Sequence, residues 1–233
     1  RCSSAKQGIR IMGKYLVLVV LLVGCSSQKN LVVFSKTSGY RHESIPNGII
    51  ALQKIGDDLG YIVIATETSS DLIKLDYDVL VFLSPTLDVL NENEQEHLRK
   101  FVEGGGGFVG IHAATNCEYE FDWYIETLVG AKFDSHRAIK QLDVQIVESN
   151  HPSTAHLQHP WTRTDEWYNY DRTPENVTIL LAIEDDDGWR PIAWCRDVEK
   201  GRSFYTGGGH TNESYSDPDF IQHLKGGIEW VSQ

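Results

Sequence analysis

The stretch "GGGGFVGIHAAT", residues 104–115, decides the fold class because it joins a helix end, a buried strand and a sharp turn. Four glycines end a helical segment, and the apolar run that follows is short enough for a fully buried strand. The run stops at His112, and small residues come next. His112 either caps a tight strand-to-helix turn or is presented to a ligand by that turn, and both interpretations stay open at this point.

Strands and helices alternate on both sides of this stretch. Apolar runs typical of buried strands occupy residues 31–35, 61–66 and 77–84, and helical spacing of apolar residues covers 44–59 and 91–102. This alternation predicts a parallel sheet with helices on both faces. The second half predicts an antiparallel extension, whose strands we place at residues 142–147, 177–183, 190–195 and 202–207, before a closing helix at 217–231.

Composition limits the possible partners. The chain has 233 residues, of which 41% are apolar, so it is long enough for one well-packed domain. Its formal net charge of −12 would repel nucleic-acid phosphates and anionic lipid head groups, so neither is expected as a direct partner. Cys117 and Cys195 form no zinc or disulfide framework, and we expect both to be free, buried thiols.

The N-terminal segment has the pattern of an export signal. A lysine and a short apolar run follow Met12, and the sequence Leu-Val-Gly-Cys that ends at Cys25 resembles the lipobox of bacterial lipoproteins. We therefore expect a signal peptide at 12–24, lipidation of Cys25, a tether at 25–30 and a folded domain at 31–232. Ser26 after the cysteine favours the outer membrane, to which only the lipid would hold the protein.

Three histidines follow predicted strands at the positions where their carboxyl ends should lie. They are His42, His112 and His210. Ligands of open parallel sheets bind beyond the carboxyl ends of the strands, so the three histidines are expected to share one cleft.

Five motifs occur in order along the chain: "SGYRHESIPNGIIAL", "GGGGFVGIHAAT", "HPSTAHL", "RTDEWYNY" and "SFYTGGGHTNESYSDPDFIQHLKGGIEW". Together they resemble the successive motifs of the ThuA-like (trehalose utilisation) family over most of the chain. The resemblance implies a flavodoxin-like fold of the class I glutamine amidotransferase type. It also implies a role in the catabolism of trehalose or related sugars, including their 3-keto derivatives.

The same resemblance bears on His112. In the glutamine amidotransferases a cysteine nucleophile ends the corresponding strand, whereas this chain has His112 there. His210 and Glu213 look similar to the histidine–carboxylate pair of the amidotransferase triad, with one more residue between them. Glutamine hydrolysis through a thiolate is therefore not expected, and we expect His112, His210 and Glu213 to carry the chemistry, with Glu213 orienting His210.

Two kinds of chemistry suit these residues. His42, His112 and His210 with Glu213 would form a ligand set for zinc or a similar divalent ion that holds a water. The alternative is acid–base catalysis without a metal, in which a carboxylate orients a histidine.

The motif "RTDEWYNY" supplies residue types used in sugar recognition. Arg163, Asp165 and Glu166 can bind hydroxyl groups, and Trp167 can pack against a sugar ring. With His42 they are the candidate substrate-binding residues, although a surface loop with Trp167 in the core fits the same pattern. The expected function is an enzyme that hydrolyses, eliminates or isomerises a keto-sugar. The alternative is a sugar-binding lipoprotein without catalysis.

Overall fold

Five parallel strands form one half of a nine-stranded sheet. In spatial order they are β2 (Tyr61–Thr66), β1 (Lys29–Phe34), β3 (Val79–Leu83), β4 (Gly107–Ile111) and β11 (Gly201–Thr206). The computed structural model describes residues 29–233, so the predicted signal segment and Cys25 lie outside the described residues. The strand order changes direction at β1, because β2 lies on one side of it and β3 on the other. Folds of this type bind ligands at such a switch point.

Antiparallel strands extend the sheet beyond β11. In spatial order they are β10 (Gly188–Val198), β9 (Thr178–Asp185), β6 (Lys140–Ile146) and β7 (Trp161–Asp165). A separate two-stranded sheet pairs β5 (Phe133–His136) with β8 (Tyr168–Tyr170). The parallel sheet and the presence of an antiparallel extension are as predicted, but the predicted strand at 202–207 is the parallel strand β11 and not part of the extension. The motif "RTDEWYNY" runs from β7 into β8 and is not a surface loop, although Trp167 lies in the core as that interpretation expected.

Helices cover both faces of the parallel strands. Ile45–Leu59 (α1) and Pro218–Val231 (α4) pack on one face, and Asp71–Lys74 (α2), Glu92–Glu103 (α3) and a π-helix at Trp123–Val129 pack on the other. Successive side chains of a strand point to opposite faces. In β1 the side chain of Val33 packs with the α1 side, and that of Phe34 packs with the α3 side. A strand buried on both faces reads as a continuous apolar run, which explains the sequence pattern.

Local signals fix the helix ends near the site-bearing strand. Asn91 caps α3 by accepting hydrogen bonds from the backbone N–H groups of Asn93 and Glu94, and the Glu94 carboxylate bonds back to the N–H of Asn91. The helix ends before Gly104, and Gly105 takes a positive φ of 121° before β4 begins. The glycine run therefore ends the helix, as predicted.

Cys117 and Cys195 are free and buried, as predicted. Within residues 29–233, the helices are all too short or too polar to span a membrane.

Candidate functional site

His112 stands on a sharp turn at the carboxyl end of β4. Its φ of 50° lies in the left-handed region, and the chain enters a short 3₁₀ helix, His112–Thr115, at once. A Cβ atom added at Gly110 would lie only 3.1 Å from the Cβ of Ala114, so the turn needs small neighbours. A non-glycine residue with this backbone conformation is strained and persists where the surroundings impose it. The turn holds a fully buried imidazole toward His210 and Glu166.

Hydrogen bonds orient the ring of His112. Its Nδ1 atom lies 2.9 Å from the carbonyl oxygen of Gly207, and only an N–H can bond to a carbonyl. The neutral ring therefore carries its lone pair on Nε2. That atom lies 3.2 Å from Nδ1 of His210 and 3.6 Å from Oε2 of Glu166.

Glu166 is the carboxylate of the site, and it reaches the histidines from the β7–β8 connection. Its Oε2 atom lies 3.1 Å from Nδ1 of His210. Burial acts to raise the pKa of Glu166, but the neighbouring imidazoles of His112 and His210 outweigh burial and hold this pKa well below its usual value. The hydrogen bond to Glu166 raises the pKa of His210. Glu166 is therefore ionised at neutral pH, and it favours a proton or a cation beside it.

His42 completes the group from the loop after β1. Its ring meets those of His112 and His210 edge-on, with centroids 4.7 and 5.1 Å apart. Burial and the two neighbouring imidazoles lower its pKa to about 3, so the ring stays neutral. Among the described residues, its buried Nδ1 atom has no hydrogen-bond partner. One ligand atom from each of His42, His112, Glu166 and His210 lies within 4.8 Å of the others. We call these four residues the His₃Glu cluster.

A fourth histidine borders the cluster. Nδ1 of His136, at the end of β5, lies 3.0 Å from Oε1 of Glu166, and its side chain is 44% exposed. His136 cannot be recognised from the sequence because the strand Phe133–His136 has no apolar pattern that marks its end as a strand terminus.

Three members of the cluster, His42, Glu166 and His210, line a pocket of about 410 Å³, and His112 lies buried behind them. The residues that line the pocket beside the cluster and His136 are Tyr40, Asn116, Phe133 and Tyr168. The lining combines imidazoles, one carboxylate, one amide and three aromatic rings. Such a mixture of a few polar groups with aromatic surface suits a polar ring-shaped ligand such as a sugar.

A family model and solved structures identify the family and the fold of the chain. Residues 30–231 match the family model described as ThuA, trehalose utilisation. The chain belongs to the ThuA family. No curated protein sequence matches the chain.

Solved structures share the ThuA fold at low sequence identity. The ThuA-like protein from Bacteroides uniformis ATCC 8492 is 22% identical, with a TM-score of 0.72 over 88% of this chain and 93% of that chain. The ThuA-like protein from Parabacteroides merdae ATCC 43184 is 19% identical, with a TM-score of 0.75 over 89% of this chain and 91% of that chain. The β-galactosidase from Rahnella sp. R3 matches 87% of this chain with 31% of its own, at 16% identity and a TM-score of 0.60. These similarities establish the fold alone.

Arg163 and Asp165, two predicted substrate-binding residues of this ThuA chain, instead form a buried network beneath the loop that carries His210. Asp165 is fully buried and accepts hydrogen bonds from the backbone N–H groups of Gly209 and His210, at 2.9 and 3.1 Å. Arg163 is also buried and donates to Asp165 at 3.2 Å and to Asp217 at 2.6 Å. The prediction that both residues contact substrate is wrong, because their polar atoms are used within the protein. They hold the loop that carries His210.

Trp167 and Glu213 also differ from their predicted roles. Trp167 is 4% exposed, packs in the core and donates its indole N–H to the carbonyl of Lys140, so it offers no face to a sugar. Glu213 lies exposed on a short 3₁₀ helix, and among the described residues it makes no side-chain contact with His210. Glu166 takes that position, because the antiparallel extension brings the β7–β8 connection to the carboxyl end of β11.

The cluster has dimensions that suit a divalent ion. A tetrahedral ion with bonds of about 2.0–2.1 Å to nitrogen sets neighbouring ligand atoms about 3.3–3.4 Å apart. The contacts among His112, His210 and Glu166 span 3.1–3.6 Å. The ThuA fold here thus brings together nitrogen and oxygen atoms at spacings that zinc or a similar cation can bridge.

Proposed function

We propose that this protein is an enzyme of carbohydrate catabolism that acts on an oxidised glycoside, such as 3-keto-trehalose, with a divalent cation held by the His₃Glu cluster. The observation that carries the proposal is the convergence of three imidazoles and one ionised carboxylate, of which all but His112 line one pocket. The family's association with trehalose utilisation supports the choice of sugar.

The ligand roles follow from the contacts of each side chain. His112 is fixed by the Gly207 carbonyl so that its Nε2 lone pair faces the cluster. A hydrogen bond from the second ring nitrogen to a carbonyl is the usual support of a metal-binding imidazole. His42 has a low pKa and a buried, unpartnered Nδ1, so it is a neutral imidazole that no protein hydrogen bond satisfies. Glu166 supplies the negative charge that a cation requires.

A keto-sugar suits such a site chemically. A bound cation would act as a Lewis acid that polarises the ketone and stabilises the negative charge that develops on its oxygen. The hydrogen on the carbon next to the ketone becomes acidic as a result, and its removal starts either elimination of the neighbouring glycosidic oxygen or isomerisation. An unoxidised disaccharide lacks this acidic position, so we expect 3-keto-trehalose to react and trehalose to bind without reacting.

Metal analysis and turnover test the proposal together. The purified protein should contain about one equivalent of zinc or a similar ion after reconstitution, and it should convert 3-keto-trehalose but neither trehalose nor glutamine. His112→Ala and His210→Ala should each lower turnover at least roughly 100-fold, because a catalytic acid, base or ligand commonly contributes two to four orders of magnitude. The thermal transitions should stay close to that of the wild type.

The alternative, a sugar-binding protein without catalysis, predicts a different result. It expects sugar binding by calorimetry, no product from any keto-sugar, and full ligand affinity in His112→Ala. A protein that binds no metal and no sugar would contradict both functions.

We also propose that the protein is exported and held to a membrane, expected to be the outer membrane, by a lipid on Cys25. The motif that ends at Cys25 is the basis. Mass spectrometry of the membrane-extracted protein should find the first residue to be a diacylglyceryl cysteine. Cys25→Ser should abolish the modification, and an unmodified chain that begins at Met12 would contradict it.

A further inference from the structure

We infer that His136 takes the proton from the sugar carbon next to the ketone, with Glu166 as its orienting partner. This inference rests on the proposed function and assigns the proton-transfer step to a residue outside the His₃Glu cluster. The site has four imidazoles, and the structure divides them into two kinds.

The three cluster histidines are poorly placed to receive a proton from substrate. His42 and His112 are 4% and 0% exposed. Nε2 of His112 and Nδ1 of His210 face each other at 3.2 Å, so their nitrogens point at the cluster centre. A cation bound there would occupy their lone pairs. His136, in contrast, is 44% exposed and lines the pocket.

The contacts of His136 determine which of its nitrogens carries hydrogen. Nδ1 lies 3.0 Å from Oε1 of Glu166 and 3.0 Å from the carbonyl oxygen of Arg137. Both partners only accept hydrogen bonds, so Nδ1 must be the N–H of the neutral ring. Nε2 therefore carries the lone pair, and among the described residues it has no hydrogen-bond partner. This arrangement, a carboxylate that orients an imidazole base, is a common catalytic pair.

Glu166 can contact both the cluster histidines and His136 because each of its two oxygens faces a different side. Oε2 faces His112 and His210, and Oε1 faces His136. The guanidinium of the neighbouring Arg137 is paired with Asp187 on the β9–β10 connection, so it does not compete for Glu166. When His136 accepts a proton, the positive charge forms beside an ionised carboxylate, which stabilises it.

The step balances without any further reactant. Nε2 of His136 takes the proton from C2, and the electrons of the C2–H bond form a C2–C3 double bond while the C3 ketone becomes an enolate. The enolate then re-forms the ketone, a C1–C2 double bond appears and the C1–O glycosidic bond breaks. The departing sugar oxygen takes a proton from the His136 imidazolium. The products are an unsaturated keto-sugar and a free sugar, and His136 is neutral again.

Hydrogen–deuterium exchange separates this step from metal binding. The zinc-loaded wild type is incubated with 3-keto-trehalose in D₂O, and loss of the C2 proton and product formation are followed by NMR. His136→Asn keeps an N–H near the position of Nδ1 for Glu166 but has no base at Nε2, and His136→Ala removes both. His97→Ala, on α3, is the matched control. Zinc affinity and the thermal transition are measured for each variant.

We expect both His136 variants to lose exchange and turnover at least roughly 100-fold while zinc affinity of His136→Asn stays within about threefold of wild type. Added imidazole should restore part of the activity of His136→Ala, because the position is open to solvent. His97→Ala should behave as wild type.

Two results would overturn the assignment while leaving the proposed function intact. One is exchange by His136→Asn within about threefold of an active wild type. The other is a loss of activity that follows a matching loss of zinc, which would make His136 a support for Glu166 alone. A zinc-loaded wild type that neither exchanges the proton nor forms product would instead refute the proposed function, and the role of His136 with it.

Discussion

Nε2 of His112 lies 3.2 Å from Nδ1 of His210, although the two residues are 98 positions apart in the sequence. They meet because β4 and β11 are neighbouring parallel strands and each histidine follows the carboxyl end of its strand. His112 uses its Nδ1 hydrogen on Gly207, so its Nε2 presents a lone pair to His210. The space between these two nitrogens suits either a proton, carried by Nδ1 of His210, or a bound cation. The ionised Glu166 beside them favours either.

Replacing the carboxylate of Glu166 with an amide tests whether it binds the cation together with these histidines. Glu166→Gln should lower zinc affinity at least roughly 100-fold, since it removes the negative charge and one oxygen ligand while keeping the side-chain shape. Isothermal titration with zinc measures the change.

Glu213→Gln is the matched control for that change. Glu213 follows His210 closely in the sequence but lies exposed, away from the ring nitrogens. Its substitution should leave zinc affinity within about twofold of wild type, given the small effect of an exposed charge. Equal losses in the two variants would show that Glu166 is not a specific ligand.

Asp165 should contribute strongly to the free energy of unfolding, although it does not line the pocket. Asp165→Ala would leave Arg163 with only Asp217 as an ionic partner and would free the N–H groups of Gly209 and His210. Breaking a buried ion pair by removing one partner costs about 3–5 kcal/mol, and we expect the lower end because Asp217 remains. Urea unfolding measures the change.

Asp143→Ala tests whether this cost is specific. Asp143 is exposed on β6 and bonds the hydroxyl of Thr162. Its removal should change the free energy of unfolding by no more than about 0.5 kcal/mol. If Asp165→Ala changes the free energy of unfolding as little as Asp143→Ala does, the buried network does not hold the His210 loop.

The sequence predicts the parallel half of the fold well because its signals are local. Buried strands such as β3 read as apolar runs, and α3 begins at a capping box and ends at glycines. The same rule placed His42, His112 and His210 at one edge of the sheet, since each follows such a run. The three histidines at this edge of the sheet are therefore predictable from the sequence, because each follows the end of a strand.

The carboxylate and the fourth histidine could not be placed in this way. Glu166 and His136 lie beside short strands, β8 with three residues and β5 with four, which carry no strong hydrophobic period. Their position depends on how the antiparallel extension folds back over β11, and that is a long-range property. Glu213 is predicted from the resemblance of His210 and Glu213 to the histidine–carboxylate pair of the amidotransferases, whereas the approach of Glu166 leaves no local signal in the sequence.

His223 should make the protein sensitive to acid. Its ring is fully buried on α4, Nδ1 bonds the carbonyl of Ser153, and burial lowers its pKa to about 3. The unfolded chain, with an ordinary histidine pKa of about 6.5, binds the proton first as the pH falls. The contribution of His223 is therefore complete above about pH 6.5 and is lost progressively toward pH 3, by roughly 2.5 kcal/mol between pH 7 and pH 4.5.

A comparison with His223→Asn isolates this effect. Asn keeps a donor near the position of Nδ1 for the Ser153 carbonyl but cannot become charged. The pKa values of His42 and His151 are also lowered, to about 3 and about 4, so the wild type loses stability through several groups. The difference in unfolding free energy between wild type and variant, measured with a chelator present, should shift in favour of the variant as the pH falls. Parallel stability curves from pH 7 to pH 4.5 would contradict the assignment.

Tyr40 should bind the sugar without taking part in the chemistry. Its side chain is 63% exposed at the pocket, and its ring meets that of His42 edge-on at 5.0 Å. The loop around it is tethered, since Thr86 donates to the Tyr40 carbonyl at 2.9 Å. An exposed aromatic ring fixed at the entrance of a polar pocket offers its apolar surface to the C–H face of a sugar.

The loss of that surface should appear in KM. Packing of a ring against Tyr40 is worth about 1–1.5 kcal/mol, which corresponds to a roughly tenfold change in affinity. Tyr40→Ala should therefore raise KM about tenfold with little change in kcat or zinc affinity, because the contact is the same in the ground state and the transition state. Tyr40→Phe should stay close to wild type. Trp189→Ala, which removes an exposed aromatic residue on β10 outside the pocket lining, controls for a general surface effect. A fall in kcat at constant KM would mean that Tyr40 acts on the reacting groups, and an unchanged KM would place the sugar elsewhere in the pocket.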